Sequence, residues 1–105
     1  MSGTSLDGVD VVAMRTDGAG EVAFLGHHYL VYSEELKARL RSVCLGDVPL
    51  LDVLRMEKDV SELYAEALCG AVAALELDWA DVGVVGVHGQ TVRHKPDEGL
   101  TWQLG

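Results

Sequence analysis

Val82-Gly83-Val84-Val85-Gly86-Val87 runs directly into His88-Gly89-Gln90-Thr91, and the fold class turns on how this passage is read. Six residues without a polar side chain match a strand covered on both faces, as in sheets flanked by helices. The polar block begins where that strand ends. In open α/β sheets, binding residues gather at the carboxyl ends of such strands. Gln90 offers an acceptor and donors, and a neutral His88 offers one of each, which suits sugar hydroxyls or an N-acetyl group. The plainer reading is that His88 and Gln90 only satisfy loop backbone. Arg93 and His94 follow, in positions that also suit solvent.

Upstream of this strand the pattern changes to helical period. Pro49 suits the first turn of a long helix running to about Leu75. Val53, Met56, Val60, Leu63, Tyr64, Ala67, Leu68, Ala71 and Leu75 form its apolar stripe. Glu57 falls on that stripe, near Tyr64, so it needs a rim position or a hydrogen-bond partner. A shorter helix precedes it. Ser33 is the expected N-cap, Glu34 and Glu35 fill the first turn, and Gly46 closes the helix. Its buried face is Leu36, Leu40 and Val43.

Further upstream, Val9 to Arg15 and Glu21 to Tyr32 read as two antiparallel strands joined by Thr16-Asp17-Gly18-Ala19-Gly20, with an interruption near Gly26. His27 and His28 are adjacent in a strand and point to opposite faces, so they do not share a metal. Pro96-Asp97-Glu98-Gly99 turns the chain into a last short strand. The order is therefore β-β-α-α-β with a final strand: an α/β chain with a mixed sheet and two helices.

The chain opens on Met1-Ser2-Gly3-Thr4-Ser5-Leu6-Asp7-Gly8-Val9-Asp10. Gly3 and Gly8 allow positive φ, so backbone N–H groups can converge on an anion. Thr4 and Ser5 add hydroxyl donors, while Asp7 and Asp10 add carboxylates that can face a metal ion. This is the chemistry of a phosphate grip with an acidic edge for Mg²⁺. Asp7-Gly8 is equally a hairpin-turn signal.

Composition sets limits on partners. The 105 residues carry a net charge of −9, which argues against nucleic acid and anionic membranes, since both select a basic face. Hydrophobic residues at 49% and charged residues at 24% are ordinary for a globular chain. No apolar run approaches the ~20 residues that span a bilayer, and no secretory leader pattern is present. Cys44 and Cys69 are too few for a zinc site and read as buried structural thiols.

Three blocks together point to one family. MSGTSLDGVD (1–10) resembles the signature of the anhydro-N-acetylmuramic acid kinases, sugar kinases of the actin/hexokinase/Hsp70-like ATPase superfamily. Val87 to Pro96 resembles that family's HGQTVxHxP segment, and Thr101 to Gly105 resembles the TxQxG that follows it. The resemblance implies that residues 1–105 are a partial N-terminal lobe of a two-lobed, ribonuclease H-like kinase. A leading strand and a second lobe would lie outside them, because such kinases need several hundred residues.

The same resemblance implies ATP and Mg²⁺ as cofactors. Gly3, Thr4, Ser5, Leu6, Asp7, Gly8, Val9 and Asp10 would contact ATP, with Asp10 reaching the metal through water. His88, Gln90 and Thr91 would bind the amino sugar. No catalytic residue is expected here, because the family's base is an aspartate in the second lobe. The implied reaction converts 1,6-anhydro-N-acetylmuramate, ATP and water to N-acetylmuramate 6-phosphate and ADP in cytoplasmic recycling of peptidoglycan. A homodimer is compatible with the full-length protein. Two alternatives stay open: a related kinase or ATPase of the superfamily with another substrate, and a truncated inactive piece.

Overall fold

The computed structural model describes residues 6–46 and 48–105. Strands β1 (Gly8–Thr16) and β2 (Val22–Val31) form an antiparallel hairpin. Helices α1 (Glu34–Leu45) and α2 (Leu50–Ala74) follow. A 3-10 turn at Trp79–Asp81 leads to a second hairpin, β3 (Gln90–Lys95) and β4 (Leu100–Leu104), joined by another 3-10 turn at Pro96–Glu98.

Local chemistry sets most of these boundaries. Asp17 closes the first hairpin by accepting backbone N–H bonds from Ala19, Gly20 and Glu21 at 2.9, 3.0 and 3.0 Å. These three donors hold its carboxyl at about 2, well below the ordinary carboxylate value. Ser33 Oγ accepts from Leu36 N at 3.2 Å, which is the expected cap of α1. Gly46 ends α1 in the left-handed region at φ 86°, where a side chain would be strained. The last turn of α1 contains no basic residue, and the Arg93 guanidinium comes up against Gly46 to supply positive charge there. Pro49 is the N-cap of α2 and not its first turn, and Leu75 is the C-cap.

The core lies along α2, which packs on both hairpins. Val53, Met56, Val60, Ala67 and Ala71 are buried, as the helical period requires. All of these but Ala71 share one cluster with Leu6, Val9, Tyr32, Leu36, Leu40, Val43, Val92 and Leu104. Where the first hairpin crosses α2 the helix has small residues, and Gly70 lies under the His28 ring. Glu57 takes the hydrogen-bond option, with Oε1 accepting from Gly105 N at 3.1 Å.

Three expectations need correction. The two sheets are separate antiparallel hairpins, so among the described residues there is no mixed sheet. Val82–Val87 forms no strand, and Val84 is 85% exposed. A strand requires a hydrogen-bonded neighbour, and no described strand lies beside this run. Cys69 is exposed and Cys44 only half-buried, because residue 69 lies roughly 200° around α2 from Ala67, on its outer face.

Both hairpins also carry a register shift. In β1–β2 it falls after Ala13, so Leu25 is the extra residue beside Gly26, where the sequence suggests an interruption. In β3–β4 it falls between Thr91 and Arg93, leaving Val92 unpaired and buried.

Among the described residues, nothing covers the outer face of the first hairpin. Val12, Met14, Val22, Phe24, Tyr29 and Val31 are all exposed there. The radius of gyration is 15.5 Å, against roughly 13 Å for a self-contained domain of this length.

Candidate functional site

Tyr32 brings the two candidate stretches together. Its backbone N–H donates to Asp7 O at 2.9 Å, and its hydroxyl donates to Gln90 Oε1 at 3.2 Å. The first stretch and the His88–Thr91 block therefore meet at the end of β2. Nothing in either motif points to Tyr32. The available signal is its position, the last apolar residue of a strand immediately before a helix cap, with a hydroxyl that needs a partner once buried.

On the first side, Gly3, Thr4 and Ser5 lie outside the described residues. Leu6 is buried with φ 55°, Asp7 is exposed, and Gly8 and Val9 are buried at the start of β1. A Cβ on Gly8 would strike the Leu30 carbonyl and lie 2.8 Å from the Tyr29 ring, so only glycine lets β1 approach β2 so closely. Asp10 points to the outer face, where its carboxylate pairs with His27 Nε2 at 2.8 Å. His28 points to the opposite face, toward α2.

Among the described residues no group of three or more His, Cys, Asp or Glu side chains could enclose a metal ion. Magnesium keeps several waters and takes one or two carboxylates beside substrate phosphates. The Asp10 side chain, 50% exposed, fits that outer role through water and not a protein cage.

On the second side, Gln90 is fully buried at 0% exposure. Besides the Tyr32 bond, its Nε2 donates to Thr91 O at 3.3 Å. Gln90 thus forms the floor of the strand end. His88, Thr91 and Gln103 form the surface above it, with His88 and Gln103 exposed and Thr91 half-buried. His88 Nδ1 lies 2.9 Å from Gly89 O, and Gln103 Nε2 lies 3.2 Å from His88 Nε2 and 3.3 Å from Thr91 Oγ1. Sequence reasoning passed over Gln103. It sits within the last family-like block, but only the register of the second hairpin places it opposite Thr91. Arg93, opposite Trp102, lies on the other face and serves the end of α1, while His94, opposite Thr101, shares the face of Gln103 but pairs with Thr101 Oγ1 at 2.9 Å.

The family model for anhydro-N-acetylmuramic acid kinase matches residues 1–105. The chain belongs to the anhydro-N-acetylmuramic acid kinase family. It is similar to kinases of that name from Paramagnetospirillum magneticum, 41% identical over all of this chain and 29% of the relative, and from Aliivibrio fischeri, 41% identical over all of this chain and 29% of the relative. The Rhizobium etli protein of the same name is 39% identical over all of this chain and 30% of the relative. The chain thus spans about 30% of the length of the curated relatives it matches. Among its described residues, no helix is long and apolar enough to cross a membrane.

Proposed function

We propose that this chain forms the phosphate-gripping edge and one sugar-facing wall of an ATP-dependent kinase acting on 1,6-anhydro-N-acetylmuramate. The observation that carries the reading is the junction at Tyr32, which joins the Asp7 backbone to Gln90. It sets the two family motifs in one wall, so a phosphoryl donor on one and an acceptor on the other would be neighbours. The actin-like ATPase fold of the full-length protein belongs to the same proposal, as do a cytoplasmic location and a role in peptidoglycan recycling.

In this reading Gly3 to Asp10 hold the nucleotide. Backbone N–H groups would bind phosphate oxygens, and the Asp10 carboxylate would help hold the hydrated cation. Mg²⁺, when bound, would neutralise phosphate charge. Across Tyr32, His88 and Thr91 would meet the sugar while Gln90 holds the strand end in place. Water adds across the anhydro bridge at C1, and the released O6 takes the γ-phosphoryl group from ATP. The base that activates this water is assigned to the part of the relatives that this chain does not span. Phosphoryl transfer depends mainly on positioning and charge neutralisation, which is what these residues provide.

The test is a pair of substitutions in a full-length version. Asp10→Asn is expected to lower turnover at limiting Mg²⁺ by tenfold or more, since one electrostatic stabiliser commonly contributes ~10²–10³ in rate. Thr91→Val is expected to raise the sugar KM and leave the ATP KM in place. A change in the ATP value alone would put the ligands on the wrong sides. Turnover of other sugars in preference to the anhydro sugar would favour a different substrate within the superfamily.

A further inference from the structure

Gln103 has no role in the reading above, yet its two N–H groups organise the whole strand end. The bulge at Val92 is the cause: it sets Thr91, and not Val92, directly opposite Gln103. Directly opposed residues point to the same face of a hairpin.

The hydrogen positions follow from elimination. Gly89 O can only accept, so His88 Nδ1, 2.9 Å away, carries the ring hydrogen. A neutral ring then has a lone pair at Nε2, which accepts one N–H of Gln103. The second N–H donates to Thr91 Oγ1. A reversed carboxamide would set its oxygen against the Nε2 lone pair and is stable only beside a doubly protonated ring. Among the described residues, two atoms of this network remain for a ligand: Gln103 Oε1, an acceptor, and the Thr91 hydroxyl hydrogen, a donor. The pair matches a group that donates and accepts at one atom. A hydroxyl does so. A trans amide directs its N–H and C=O to opposite sides and does not.

We propose that Gln103 is a specificity-determining residue that, together with Thr91, receives a single ligand hydroxyl. This rests on the sugar-side reading given under Proposed function. In 1,6-anhydro-N-acetylmuramate, O1 and O6 form the bridge, C2 carries the acetamido group and C3 the lactyl ether. The 4-hydroxyl is the only free ring hydroxyl, so it is the group received.

The experiment has two arms, both in a full-length version. The first needs no sugar: long-range ¹H–¹⁵N NMR of histidine-labelled protein at a pH where imidazole is neutral. His88 is expected to hold its hydrogen on Nδ1. In Gln103→Glu, a carboxylate that cannot donate, the hydrogen is expected at Nε2 instead. An unchanged His88 spectrum in that variant overturns the network.

The second arm compares the anhydro sugar with its 4-deoxy analogue. Wild type is expected to lose roughly tenfold in kcat/KM on the analogue, the range of one hydrogen bond. Gln103→Leu, which removes the acceptor and keeps the Thr91 donor, is expected to lose activity on the anhydro sugar and to discriminate several-fold less between the two sugars than wild type, with the ATP KM unchanged. Equal discrimination by wild type and Gln103→Leu overturns the assignment of the hydroxyl. A wild type that turns over neither sugar overturns the sugar-side reading and the hydroxyl assignment with it, while the NMR arm still decides the network.

Discussion

The bond between Tyr32 and Gln90 is where the fold and the candidate site share a contact, and its strength can be worked out. Both side chains are buried, at 2% and 0% exposure, and the hydroxyl oxygen lies 3.2 Å from Gln90 Oε1. A typical hydrogen bond contributes ~1 kcal/mol net, and removing one buried partner costs ~1–3 kcal/mol because the other is deprived of its bond. Tyr32→Phe deletes only the hydroxyl and keeps the ring, so it should lower stability by about 1–2 kcal/mol. Gln90→Leu removes the same bond and also the one to Thr91 O, so its cost should be larger, about 2–3 kcal/mol.

The double variant replaces both ends by apolar groups, and the pair should then cost less than the two singles added together. A coupling of about 1 kcal/mol is expected, within the range for residues in direct contact. Urea unfolding of a full-length version measures all four proteins, with the midpoint shifting at constant slope. Singles that add to within ~0.3 kcal/mol would show that the two side chains do not interact, and the junction joining the two motifs would be lost.

Three further outcomes follow from the geometry. Cys69 should react with a thiol reagent well before Cys44, whose thiol is raised in pKa by burial and only partly lowered by the Arg93 charge; equal rates in a mass-spectrometric time course would contradict this. Asp17, lowered from 3.8 to about 2 by the N–H groups of its turn, should stabilise the first hairpin fully above pH ~4. That contribution should fade as pH falls through about 2, and Asp17→Asn should flatten this part of the acid unfolding curve. Gly8→Ala should disrupt pairing of β1 with β2, because its methyl would collide with the Leu30 carbonyl; a circular dichroism melt matching wild type would refute the close approach.

Much of this was legible in the sequence because local chemistry settled it. The Ser33 cap, the Gly46 stop, the Asp17 turn and the apolar stripe of α2 each depend on residues within a few positions of one another. Glu57 was legible as a problem needing a partner, though not as a bond to Gly105 N. The bulges resisted prediction in detail. Counting back from the Pro96–Gly99 turn pairs Lys95 with Leu100, His94 with Thr101 and Arg93 with Trp102, and one more step would pair Val92 with Gln103. The extra residue moves that pairing to Thr91. A shift of one residue exchanges faces along a strand, and no side chain in the turn announces it.

The failure at Val82–Val87 has a different cause. Its composition is right for a doubly covered strand, but composition describes what a segment needs, and pairing depends on what lies beside it. The outer face of β1–β2 presents the reciprocal condition, since Val12, Met14, Phe24 and Tyr29 are apolar and uncovered. Exposed apolar side chains in the 82–87 run and an uncovered sheet face are each unfavourable in water, by ~25 cal/mol per Å² of apolar surface. Relatives more than three times as long supply ample chain to satisfy both. The candidate site does not depend on that supply in the same way. Tyr32, His88, Gln90, Thr91 and Gln103 make contacts with one another, so the surface proposed to face the sugar is organised largely from within. Binding built on such internal bonds should therefore respond to Gln103 even when the covering elements are altered.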